Sequence, residues 1–197
     1  MRFARQPLFA AALAAPLFAA AALPAAAEPY AIDPSHTSVT FSVDHLGFSV
    51  VHGRFSEFEA EIDFDPDAIE AASVAFTIKA ATVDTGWGPR DEHVRGADFL
   101  DVEAYSDITF VSKSVKLISA ERAEVTGDVT IKDVTNEEVF EVVLNKMGPS
   151  PFNPDQTIAG FTVTGTIDRT DYGIGYGAPA IGVEMPIRID LEASPAG

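Results

Sequence analysis

The chain has 197 residues, 47% of them hydrophobic, and a formal net charge of −17. A surface this acidic repels phosphate backbones and anionic headgroups, which argues against nucleic-acid and peripheral membrane partners. Cysteine is absent, which removes thiol catalysis, iron–sulfur clusters, covalent haem attachment and Cys-based zinc sites, and leaves stability to the core.

Residues 1–27 read as a cleavable secretory signal: Arg2 and Arg5 precede an apolar run from Leu8 to Leu23, and Ala25-Ala26-Ala27 supplies small residues before Glu28. The leader holds two arginines and no acid, so the mature chain is more acidic still. Its expected location is the periplasm. No later stretch approaches about 18 uninterrupted apolar residues, so stable membrane insertion after cleavage is not expected. Residues 28–197 show neither repeat nor linker and form one domain, with a tail at 194–197 expected to fray.

Period-2 alternation recurs along this domain and predicts strands. The apolar phases are Val39-Phe41-Val43, then a strand over 53–64, then Val74-Phe76-Ile78-Ala80. Phe55 is out of phase with Ala60, Ile62 and Phe64, so a bulge is expected near Glu57. Pro89 to Ala97 alone looks helical, with Pro89 suited to a first turn. Ile108-Phe110, Val125-Gly127-Val129-Ile131, Phe140-Val142-Leu144, Phe161-Val163-Gly165-Ile167 and Val183-Met185-Ile187-Ile189-Leu191 complete eight strands, with a short extension at 114–120. Asp65-Pro66-Asp67 and the Pro-rich stretch 149–155 mark turns, and Gly173, Gly175 and Gly177 mark a loop.

Antiparallel strands with one apolar face and almost no helix to cover it close into a barrel or stack as a sandwich. An eight-stranded barrel is wide enough for side chains or for one small ligand. Of 14 phenylalanines only three fall in the leader, and many of the rest sit on the apolar phase. They either fill a core or line a pocket, while Gly127 and Gly165 on the same phase leave room.

Polar candidates are few. His36, His45, His52 and His93 show no metal-ligand spacing, and no metal or cofactor is expected. There is no Gly-x-Ser-x-Gly elbow, and no base–nucleophile pair is identifiable. Arg90-Asp91-Glu92-His93, preceded by Trp87, reads either as a polar collar at a barrel mouth or as a structural pair anchoring the helix.

Taken together, several segments resemble the YceI family. They are Tyr30-x-Ile32-Asp33-x-x-His36, His45-Leu46-Gly47-Phe48-Ser49-Val50-Val51-x-Gly53-x-Phe55, Arg90-Asp91-x-His93-Val94 with Phe99, Ile108-Thr109-Phe110-x-Ser112, and Arg169-x-Asp171-Tyr172-Gly173-Ile174. The resemblance implies an all-β, eight-stranded antiparallel lipocalin-like barrel with one short helix and a lipid-sized tunnel. It implies a periplasmic binding or carrier protein for an isoprenoid lipid, such as a quinone or a polyprenyl phosphate, and not an enzyme. A quinone-handling partner role beside a membrane cytochrome, a ligand-free stress-related interaction role, and a homodimer stay open. On the alternation, Phe41, Val43, Phe55, Phe76, Ile78, Phe110, Phe140, Leu144, Phe161 and Val163 are expected on the tunnel wall. His45, Trp87, Arg90 and His93 are expected at the mouth, with Arg54 or Arg95 adding positive charge for a phosphate.

Overall fold

The computed structural model describes residues 27–196, and all of the predicted leader at 1–27 except Ala27 lies outside them. The chain opens with two bent pieces of one strand. β1 (Glu28–Ile32) and β2 (Ser38–His45) are joined by a 3-10 turn at Pro34–His36, whose start is capped where the Asp33 carboxylate accepts the Ser35 N–H at 2.8 Å. β3 (Ser49–Phe55) and β4 (Phe58–Phe64) are likewise one strand broken at Ser56 and Glu57. β5 (Ser73–Lys79) is followed by a 3-10 turn over Ala80–Thr82 and then by β6 (Val83–Asp84).

Two sequence expectations are refined here. The bulge foreseen near Glu57 is a full break, and the strand foreseen through Ala80 stops at Lys79. One side chain links the two interruptions. The N–H groups of Ser56 and Glu57 both donate to Thr82 Oγ1 at 3.3 Å, and the Thr82 hydroxyl donates to the Lys79 carbonyl at 2.7 Å. Backbone donors released by the break thus find an acceptor on the neighbouring turn.

The helix α1 (Gly88–Arg95) precedes five longer strands: β7 (Asp107–Ser119), β8 (Arg122–Ile131), β9 (Val134–Pro149), β10 (Thr157–Asp168) and β11 (Glu184–Pro195). All pairings are antiparallel. Counting each broken strand once, the order around the ring is that of an eight-stranded closed barrel. β11 closes it by pairing with both halves of the first strand, Ile32 opposite Ala193 and Phe41 opposite Ile187. The tail is ordered further than its composition suggested: Pro195 pairs with Tyr30, and Ala196 N–H donates to the Pro29 carbonyl at 2.8 Å.

The inward phase of every long strand is the apolar phase read from the sequence, and β8 shows it most plainly, with burial alternating from Ala123 to Ile131. The two ends of the barrel differ. At the base, Tyr30, Phe64, Ala159, Leu191 and Ala193 pack into a plug. At the opposite, lid end lie α1, the hairpin tip at Leu46–Phe48 and the β10–β11 connection, over a second cluster that includes Ile131, Ile167, Tyr172 and Ile174. No helix among the described residues is long and apolar enough to cross a membrane.

Candidate functional site

The barrel is hollow. A cavity of about 290 Å³ lies between the plug and the lid end, walled by side chains from strands all around the ring. That volume falls near the lower bound of small-molecule pockets, about 300–1,000 Å³.

The hollow persists because several rings lie flat against the wall. A Cβ placed on Gly53 would come closer than 3.0 Å to the Phe41 ring, one on Gly127 to the Phe110 ring, and one on Gly165 to the Phe140 ring. The room that Gly127 and Gly165 leave is therefore taken by phenylalanines folded over bare backbone, and the lumen beyond them stays open. Phe110 and Phe140 then meet edge to face, with centroids 5.5 Å apart.

Most of the expected wall residues do line the cavity. Phe41 and Val43 reach it from β2, Phe55 from β3, Phe76 and Ile78 from β5, Phe110 from β7, Phe140 from β9, and Phe161 and Val163 from β10. Leu144 does not. A register shift at Gly160/Phe161 sets Phe161 opposite Leu144, and Leu144 packs against the base plug.

The four residues expected at the mouth stand outside the cavity wall. Arg90 is turned to Thr85, donating through Nε to the hydroxyl and through Nη2 to the carbonyl, each at 2.7 Å. Buried Asp91 accepts the Thr85 N–H at 2.7 Å. The Arg90-Asp91 pair therefore anchors α1 through a shared threonine. Trp87 is 60% exposed at the start of α1, with the Arg90 guanidinium 5.9 Å from its ring. The His93 ring is stacked edge-on between Phe99 at 5.0 Å and Tyr176 at 4.8 Å, while its Nε2 meets Asp98 at 2.9 Å. His93 thus backs Val94 and Phe99, which do line the cavity. His45 is exposed and bridges to Ile181 of the β10–β11 connection. His52 pairs with Ser42, and His45 with Ser49, so the two histidines are not opposite each other across the hairpin.

Neither added cation faces the lumen. Arg54 is paired with Asp84 at 2.9 Å, and Arg95 donates to the Val83 carbonyl at 3.1 Å.

The sequence reading passed over the charged group that does reach the wall, Arg169 at the end of β10. It is 2% exposed, and burial pulls its pKa down, yet a guanidinium stays cationic. The adjacent Tyr172 is fully buried. Burial and the Glu138 carboxylate, which accepts its hydroxyl at 2.8 Å, hold its pKa far above the ordinary range.

Among the described residues, the group that could hold a metal is Asp33, His36 and Glu192, whose donor atoms lie within 4.8 Å of one another on the outer surface. Asp33 there caps the 3-10 turn and accepts from Ser35 and His36, which accounts for the grouping without an ion.

A closed antiparallel β-barrel around an apolar lumen is the fold class to which this chain belongs. Within that class the chain belongs to the YceI-like domain family, whose profile matches residues 30–193. The UPF0312 protein of Pseudomonas putida is 36% identical over 169 residues, covering 84% of this chain and 87% of its own length. BcnA of Burkholderia cenocepacia superposes with a TM-score of 0.74 at 24% identity, over 82% of this chain and 98% of its own. A domain from Saccharophagus degradans described as polyisoprenoid-binding and implicated in plant cell wall breakdown shares the fold at 13% identity. Its TM-score is 0.65, with coverage of 86% and 99%.

Proposed function

We propose that this protein holds the apolar chain of an isoprenoid lipid, a quinone or a polyprenyl phosphate, inside the barrel and carries it through the periplasm. The observation that carries this reading is the hollow itself: an interior lined almost wholly by Val, Ile, Leu, Met and Phe side chains and kept open by rings folded over glycines. The Saccharophagus degradans domain, described as polyisoprenoid-binding, supports it through the shared fold.

The energetics are adequate. A buried methylene contributes about 0.8 kcal/mol, so a five-carbon isoprene unit contributes about 4 kcal/mol. Micromolar affinity needs about 8 kcal/mol, which two or three buried units supply before ordering costs. The chain alone can therefore bind, with no catalytic group required.

The test is native mass spectrometry of protein purified from a bacterial periplasm, followed by solvent extraction and lipid identification. A stoichiometric isoprenoid is the expected result. A clean apo mass that persists after quinones and polyprenyl phosphates are added would defeat the proposal.

A further inference from the structure

Four large apolar or aromatic side chains stand in solvent at the lid end. Phe48, in the hairpin tip, is 90% exposed, and Leu46 beside it, Trp87 at the start of α1 and Tyr176 in the β10–β11 connection are exposed as well. The elements that carry them touch. Leu46 N–H donates to the Ala180 carbonyl at 3.1 Å and Gly182 N–H to the Asp44 carbonyl at 2.9 Å, while the Tyr176 ring lies 4.8 Å from that of His93 in α1.

Two of these segments carry no charge. Residues 46–51 and 173–183 hold no Asp, Glu, Lys or Arg, in a chain of which 22% is charged and whose net charge is −17. The hairpin tip also runs against its own backbone. Leu46 and Gly47 both have positive φ, 62° and 73°, a turn for which Asn-Gly is the usual pair because a bulky side chain is strained there. Leucine at that position costs conformational energy and leaves an apolar side chain wet.

A lone exposed hydrophobe is ordinary, whereas an uncharged cluster marks a contact surface. The four side chains expose a few hundred Å², less than the about 800 Å² per partner of a stable protein–protein interface. A bilayer interface suits them better, since it takes Trp and Tyr at the headgroups and Leu and Phe in the acyl boundary. The acidic remainder of the surface is repelled by anionic headgroups, so the complementary surface is a neutral one. The same connection faces both ways: Ile174 and Ile181 line the lumen, and Tyr176 between them lies outside it.

We propose that the lid end docks on a lipid surface of zwitterionic headgroups, with Leu46 and Phe48 entering the acyl boundary, and that the apolar ligand passes between bilayer and lumen at that end. The transfer step rests on the carrier reading above; the docking step does not.

Trp87 is the sole tryptophan of the chain, so its emission reports the docking directly. The test titrates delipidated mature protein with phosphatidylcholine vesicles, plain or brominated along the acyl chains. The expected result is a shift of emission to shorter wavelength, with quenching by the brominated lipid. In Phe48→Glu the ratio of bound to free protein falls about tenfold or more. Phe152→Glu makes the same change at a likewise exposed phenylalanine near the base end and leaves docking unchanged. Leu46→Asn suits the left-handed backbone, so it is expected to unfold at a higher temperature and yet dock less; a leucine kept for structure alone would not separate the two readouts. Emission indifferent to vesicles overturns the docking proposal, as does equal loss in Phe48→Glu and Phe152→Glu. If vesicles have no effect and Phe48→Glu turns a dimer into a monomer by sedimentation, the surface joins two copies of the chain and the proposal falls. A short prenyl quinone supplied from water tells the two readings apart. Uptake by the wild type and Phe48→Glu alike, without vesicle docking, leaves the carrier reading standing and removes this one. Docking without uptake removes the carrier reading and the transfer step with it.

Discussion

Three glycine–phenylalanine pairs decide how much of the barrel is empty. At Gly165 an added methyl would meet the Phe140 ring closer than 3.0 Å, so Gly165→Ala must swing that ring into the lumen. Overpacking of this kind costs about 1–3 kcal/mol. Thermal unfolding of Gly165→Ala is expected at lower temperature, together with weaker uptake of an isoprenoid. An unchanged affinity would show that the ring has another place to go. A second residue-scale feature lies on the outer wall, where Asp33 is held down to about 2, first by the hydrogen bonds from Ser35 and then by His36, while His36 is held above 6.5 by Asp33. The sign follows from each shift. Asp33 contributes stability above its ordinary value of 3.8 and loses it as pH falls through about 2; His36 contributes fully below 6.5 and loses it as pH rises through its raised value. The two overlap between those ordinary values. An NMR titration of the His36 ring should show a midpoint above 6.5 that drops in Asp33→Asn, and a midpoint indifferent to that substitution would discount the contact.

At the scale of elements, α1 is anchored by the contact of its own Asp91 with Thr85, which lies outside the helix. Asp91 is 8% exposed and has its Oδ1 on both the N–H and the hydroxyl of Thr85. Thr85→Val removes that hydroxyl and leaves buried acceptor capacity unmet, at a cost of about 1–3 kcal/mol. Faster amide exchange in 88–106, with the barrel strands unaffected, is the expected reading by hydrogen-exchange mass spectrometry. Unaltered exchange there would mean that α1 is held otherwise. The strands were legible in the sequence because their inward and outward residues differ in polarity, as Val125, Val129 and Ile131 do from Thr126, Asp128 and Thr130. The interruption at Ser56–Glu57 was legible only as a phase slip and the one at Ala80–Thr82 was not legible, because the bonds that link them, from Ser56 and Glu57 to the Thr82 hydroxyl, join segments some 25 residues apart. Leu144 was misplaced because alternation gives the face a side chain takes and not its depth: it lies on the inward phase opposite Phe161 but at the level of the base plug. Arg169 entered the sequence reading only as part of a family-like segment, with nothing local to mark it as a wall residue. Its environment is made by the carbonyls of Ile174, Ile181 and Gly182, which reach it only after the β10–β11 connection folds back.

For the molecule as a whole, closure is the decisive contact. Each strand pairs with its neighbour in sequence, and only the seam between β11 and the first strand is remote: Thr40 donates to the Arg188 carbonyl across 148 residues. Non-local sheets fold in milliseconds to seconds rather than microseconds. Stopped-flow refolding of the mature chain is expected to fall in that slower range. A chain ending before Glu184 should lose cooperative thermal unfolding, since β10 and β2 both become open edges. A sharp transition retained in that truncation would show that the seam is dispensable.

The seam also sets a clock. A ribosome extends a chain by about 5–20 residues each second, and β11 is made after every other strand. Until Glu184–Pro195 has emerged and paired with the first strand the barrel has no inside, so the lumen is the last part of the molecule to come into being.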